Sequence, residues 1–155
     1  PVATVNYAGA SSYCRWLGGR LPTEFEWEVA ARGGVDDWNY TWGNNQSTEH
    51  ANVEKKWPHQ GIMPTQPVRT YAANNFGLYD MIGNVGEWTS SMYTPYPGST
   101  EAIFHSDQKT RYVVKGGDWF STLEEATVSF RRNVKPQNRG FFEGALGIRC
   151  LLENL

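Results

Sequence analysis

Gly77-Leu78-Tyr79-Asp80-Met81-Ile82-Gly83-Asn84-Val85-Gly86-Glu87-Trp88 is the stretch on which the reading of this chain turns. Glycine and a Gly-Asn pair break the run so often that a regular helix has almost no room. Asp80 and Glu87 flank the Gly83-Asn84 turn, between Tyr79 and Trp88. Two carboxylates and the carbonyls of a tight turn are the hard oxygen donors that calcium takes. A second reading uses the same residues structurally. Asp80 then caps the following turn, and Glu87 accepts backbone hydrogen bonds in an aromatic setting.

At 155 residues and 17.5 kDa the chain reads as one domain, 1–155, long enough to bury a core. A formal net charge of −2 with 19% charged residues leaves no basic footprint for nucleic acid. No apolar run approaches the roughly 20 residues of a membrane helix, and the opening residues carry no signal-peptide pattern. Val2 and Val5 read as a strand directly after Pro1, which gives the expectation of a chain lacking an upstream part. Seven Trp, eight Tyr and sixteen Gly suit a loop-rich fold whose core is built from large rings. Cys14 and Cys150 are the two cysteines. A bridge between them would contribute about 4–5 kcal/mol by restricting the unfolded chain. Two buried free thiols are the alternative, and the residues alone leave both open.

Residues 8–17 place Ala10, Tyr13, Cys14 and Leu17 at helical spacing, stopped by Gly18-Gly19. Thr23 and Glu26 after Pro22 form a capping box, predicting a helix from Glu24 to Arg32 that part-buries Phe25, Trp27 and Val29. Gly33-Gly34 end it. From Val35 to Thr70 no period is sustained, so something must pin the chain, with Trp38, Tyr40 and Trp42 as anchors. Residues 92–110 read as an exposed loop. Residues 111–119 read as a strand entering a tight turn, 127–132 as an alternating strand, and 147–151 as a closing strand. The class is α+β, with two helices on a small, twisted, mostly antiparallel sheet.

Several pieces stand in order along the chain: Ala10-x-x-Tyr13-Cys14-x-Trp16-Leu17, Arg20-Leu21-Pro22-Thr23-Glu24-x-Glu26-Trp27-Glu28 and Ala30-Ala31-Arg32-Gly33-Gly34. Tyr40-x-Trp42-Gly43, Ala51-Asn52, Pro67-Val68, the opening run, Lys115-Gly116-Gly117-Asp118-Trp119, Phe130-Arg131 and Gly147-Ile148-Arg149-Cys150 follow. In this spacing, over essentially the whole chain, they resemble the formylglycine-generating-enzyme, or sulfatase-modifying-factor, family. That family has a variant of the C-type lectin fold, and the resemblance covers the C-terminal part of its usual domain. It implies a bridge between Cys14 and Cys150, which points towards an oxidising, extracellular or periplasmic compartment. It implies a calcium site of Asp80 and Glu87 side chains with the Gly83 and Val85 carbonyls. It also implies a second calcium site at Asn52 and the Val53 carbonyl. The distal carboxylate of that second site has no match between Lys56 and Pro64, where Gln60 is the nearest candidate.

The family's enzymes oxidise a substrate cysteine with two cysteines of their own, which bind copper as a soft thiolate pair. The matching positions here are Ser121 and Ala126. No histidine lies near Ser121 in sequence to activate it as a nucleophile. No copper is expected, and catalysis by that route is not. Where relatives usually carry a large aromatic, this chain has Gly86. The glycine opens a cleft or lets another segment approach closely.

The leading expectation is a non-catalytic C-type-lectin-like module that binds a protein or small molecule and is stabilised by calcium. The variable proteins of diversity-generating retroelements are the matching branch. Its surface is expected at Asp118, Trp119 and Ser121, joined by Arg139, Phe141 and Phe142. Trp119 and Phe142 read equally well as core. The alternative is the C-terminal lobe of an ergothioneine-type sulfoxide synthase, which residues 87–91, 95–98, 129–131, Pro136 and Arg139 resemble. Such enzymes bind non-haem iron through histidines that lie mainly upstream. His50, His59 and His105 lack ligand spacing and read as surface, so iron is expected only if an upstream domain supplies histidines. A formylglycine-generating oxidase, and a domain attached to a kinase or secreted anchor, follow behind.

Overall fold

The computed structural model describes residues 1–56, 64–99, 110–140 and 145–152. Helix α1 spans Tyr7–Trp16, and the Asn6 side chain accepts the Gly9 N–H at its start. It rests on the sheet along one ridge of small side chains, Ala10 and Cys14, both fully buried. Tyr13 and Leu17, expected on that inner face, stand at its rim and are 46% and 43% exposed.

Helix α2 spans Glu24–Arg32 and carries the expected reciprocal capping box of Thr23 and Glu26. It ends at Gly33, with φ of 61°. Glu24, Trp27 and Ala31 face inward. Phe25 and Val29 do not share that burial, being 62% and 63% exposed. Each lies two residues from Trp27, about 160° around the helix from it.

Strands β1 (Gly19–Arg20), β2 (Gly86–Met92), β3 (Tyr112–Lys115), β4 (Arg132–Val134), β5 (Leu146–Gly147) and β6 (Leu151–Leu152) form two sheets. The larger runs β4-β3-β2-β5, antiparallel except where β2 lies parallel to β5. The smaller is the antiparallel pair of β1 and β6. Val2 and Val5 join no strand. The Val5 backbone instead donates to Leu146 and accepts the Trp88 indole N–H at 2.9 Å. The alternation over 127–132 is a turn for most of its length, with Val128 alone buried, and the strand starts at Arg132. The closing strand is split, its start serving the larger sheet and its end the smaller.

Trp27, Trp88 and Trp119 are the largest fully buried side chains. Trp88 sits under α1 with Cys14, Val114 and Leu146, while Trp27 packs with Tyr40, Ile82 and Val128. Cys14 and Cys150 are bonded, with Cα atoms 5.3 Å apart. Both cysteines of the chain are therefore in the bridge.

Candidate functional site

The motif on α2 is a set of inward connections to the sheet. Glu24 pairs with Arg131, and Glu28 with Arg32 and the buried Lys115. Trp27 donates its indole N–H to Glu87 at 2.6 Å. Burial pulls the Lys115 ammonium below its usual pKa, and the Glu28 carboxylate opposes that pull.

Glu87 lies buried on β2, and Arg149 brackets its carboxylate with N–H contacts of 2.9–3.1 Å. Arg149 also donates to the Tyr79 carbonyl at 2.8 Å, tying the end of the chain to the loop before β2. Glu87 beside it holds the guanidinium more firmly protonated than usual. Asp80, with φ of 55°, accepts the Arg69 N–H at 2.7 Å. Gly83 also has positive φ, and a Cβ there would stand 2.5 Å from the Asn52 carbonyl oxygen, so only glycine fits.

A cavity of about 420 Å³ adjoins this loop and is lined in part by Asp80, Glu87 and Arg149. Among the described residues no three His, Cys, Asp or Glu side chains gather as a metal-holding group. A cation here would need the Gly83 and Val85 carbonyls, and would share Glu87 with Arg149. All-oxygen donors suit calcium, while the guanidinium groups of Arg69 and Arg149, which line the same cavity, balance its two carboxylates.

The second asparagine loop meets the first. The fully buried Asn52 accepts the Asn84 N–H on its carbonyl and donates its amide to Pro64 and to the Asn84 side chain. Asn84 also exchanges hydrogen bonds with the Gln66 backbone. The Asn52 amide oxygen is buried and has no hydrogen-bond partner. Such an orphan costs about 1–3 kcal/mol. It is the kind of donor a hard cation satisfies.

A third place lies where β3 turns through Gly116 and Gly117, both at positive φ. A Cβ on Gly117 would stand 2.9 Å from that of Ala126, so the glycine turn presses on the 3₁₀ turn Glu124–Ala126. Asp118 is buried there. It accepts the N–H groups of Phe120 and Ser121 and pairs with Arg132 at 2.7 Å. The Ser121 hydroxyl accepts the Asp118 N–H at 3.1 Å, which fixes it within the turn. A cleft of about 280 Å³ opens beside it, walled by Phe120, Phe130 and Arg132, with Glu125 also lining it. A Cβ on Gly86 would lie 2.7 Å from Arg132 Nη2 and 2.9 Å from Val114 Cγ1. Close approach is thus what the missing aromatic permits, and the guanidinium of Arg132 fills that space.

A family profile described as "Sulfatase-modifying factor enzyme 1-like domain" matches residues 1–154. The chain belongs to this family. The mouse (Mus musculus) protein named "Inactive C-alpha-formylglycine-generating enzyme 2" is 37% identical over 162 residues, covering 97% of this chain and 48% of that protein. The mouse "Formylglycine-generating enzyme" is 34% identical over 167 residues, covering all of this chain and 45% of that protein. The chain therefore spans about half the length of the curated relatives it matches. Among solved structures, "Treponema denticola variable protein 1" superposes with a TM-score of 0.62 at 30% identity, over 84% of this chain and 46% of that one.

In this sulfatase-modifying-factor-type domain, Asp118 and Ser121 come together at the cleft, as do Asp80 and Glu87 at the carboxylate loop. Trp119 does not belong to a surface. It is fully buried against Val85 and Ala145, because the turn sends it inward and Phe120 outward. Arg139 is exposed and does not line the cleft, while Phe141 and Phe142 lie outside the described residues. His50 packs on Trp42 with ring centroids 5.2 Å apart, and His59 and His105 lie outside the described residues. Arg132 and Arg149 carry no candidate role in the sequence reading. Each is set by a partner on a distant element, and no local pattern announces it.

Proposed function

We propose that this chain is a non-oxidising member of its family, a ligand-binding module whose binding cleft lies at the Gly116-Gly117 turn beside Ser121 and Ala126. The observation that carries this is the fate of sulfur. The two positions for copper-binding cysteines hold Ser121 and Ala126, and both cysteines of the chain are spent in the Cys14–Cys150 bridge. Without a thiolate pair the family's copper chemistry has no ligands. Phe120 and Phe130 offer apolar walls and Arg132 and Glu125 offer charge, the mixture expected of a small binding site. Likeness to the Treponema variable protein supports the module reading. The bridge supports an oxidising compartment outside the cytosol.

Calcium is part of this proposal, held by Asp80, Glu87 and the Gly83 and Val85 carbonyls, and by Asn52 with the Val53 carbonyl. The orphaned Asn52 amide oxygen supports the second site.

Two experiments test the reading. Purified protein given copper(I), oxygen, a thiol reductant as electron source and a cysteine-bearing peptide is expected to leave the reduced peptide's mass unchanged. Conversion of the peptide cysteine to the aldehyde would overturn it. Separately, a thermal melt is expected to fall on adding a calcium chelator, since a ligand bound only by the native state raises its stability. No fall, with none distinguishing Asp80→Ala from wild type in calcium, would remove the metal from the proposal.

A further inference from the structure

Trp38 and Trp42 stand apart from the other tryptophans of the fold. Both are half-buried, and between them they line a hollow of about 180 Å³ with Thr41, His50 and Asn75. Two alanines, Ala72 and Ala73, complete its wall. It shares no lining residue with the cleft at Arg132 or the cavity at Asp80.

The Trp42 ring is held by its neighbours. Tyr40, itself buried, stacks on Trp42 at 4.9 Å and 7°, while His50 leans on Trp42 at 34°. The Trp42 indole N–H is spent on the Asn45 carbonyl. Trp38 is different. Among the described residues its indole meets no other ring and its ring N–H makes no hydrogen bond, and the side chains of Thr41, His50 and Asn75 make no hydrogen bond either. Four groups able to hydrogen-bond thus line the hollow together with the Trp38 and Trp42 rings.

This combination selects a ligand by exclusion. A purely apolar molecule would leave those groups buried and unpaired. An ion would lose its hydration with no fixed counter-charge, since among the described residues no Asp, Glu, Lys or Arg lines the hollow. A neutral ring with one C–H face and a rim of hydroxyls satisfies both demands. We propose that the Trp38–Trp42 hollow binds a single pyranose sugar, with Trp38 as the platform for its apolar face and Thr41, His50 and Asn75 bonding its hydroxyls. This site is independent of the cleft assigned above.

The test is saturation-transfer NMR on the whole protein with methyl glucoside, galactoside, mannoside and N-acetylglucosaminide. Cyclohexanol and adenosine serve as controls. One or more pyranosides are expected to bind with a dissociation constant on the order of 1 mM, as suits a dozen or so heavy atoms. Trp38→Ala is expected to weaken binding about tenfold or more. Asn75→Ala, at an exposed side chain, is expected to weaken it severalfold with an unchanged melting temperature, so the test survives if Trp38→Ala fails to fold. Absence of binding by every pyranoside, equal binding of cyclohexanol or adenosine, or full affinity in both folded variants would overturn the proposal.

Discussion

Gly86 shows how one missing side chain reorganises its surroundings. Its place beside Arg132 and Val114 is full, so Gly86→Ala is expected to cost about 1–3 kcal/mol by overpacking. Arg132 can move and Val114 cannot. The cost should therefore shrink in an Arg132→Ala background, as a double-mutant cycle in urea would measure. Equal costs in both backgrounds would mean that Arg132 is not what fills the space. Glu26 gives a residue-scale prediction about acid. Arg20 grips its carboxylate with two 2.7 Å contacts and holds its pKa at about 2, well below the ordinary value of 4.5. A carboxylate depressed in the folded state stabilises above its unfolded pKa and loses that contribution as pH falls through the folded one. Urea midpoints of wild type and Glu26→Gln should thus differ most above about pH 4.5 and converge towards about pH 2. The pair is more than a third exposed, so the difference is small and shrinks in salt.

Helix α2 and strand β2 meet through Glu87, which joins Trp27 on one element to Arg149 near the end of the chain. Glu87→Gln takes from a part-buried guanidinium its nearest counter-charge, leaving Asp80 farther off, and is expected to cost about 1–3 kcal/mol. Replacing both partners together should cost less than the two single changes summed, a result that chemical denaturation can check. Elements differ in how openly the sequence displays them. The bounds of α2 are legible because Thr23, Glu26 and Gly33 act within a turn of the backbone they cap. The partners of Glu87 are not, because 60 and 62 residues separate them from it. Strand β4 misleads for another reason. The alternation over 127–132 is real, but it follows a turn that buries Val128 against Tyr40 and Ile82, and strand pairing begins only at its last residue, Arg132, opposite Val114. The carboxylate loop is readable as a tight turn from Gly83 and Asn84, whereas the guanidinium that sits in it is visible only once the fold is closed.

At the scale of the molecule, the order of motifs was enough to place the chain in an α+β fold of this family, since each motif builds one junction of the fold. The bridge between Cys14 and Cys150 was open on residue grounds, because nothing local sets the distance between positions 136 apart. That bridge has a mechanical consequence. Tension applied at the two ends would run along α1 to Cys14, cross the sulfur–sulfur bond to Cys150 and leave through β6, bypassing the larger sheet and α2. Pulled in a force spectrometer, the oxidised chain should yield only the segments outside the bridge, the first turns of α1 and β6 among them, before the handles fail. After reduction a new lengthening of at most about 450–490 Å should follow, at 3.3–3.6 Å for each of the 136 positions released. A full-length extension in the oxidised protein would show that the load takes another path. While the bridge holds, this domain transmits force between its ends without giving up the part of its fold enclosed between Cys14 and Cys150.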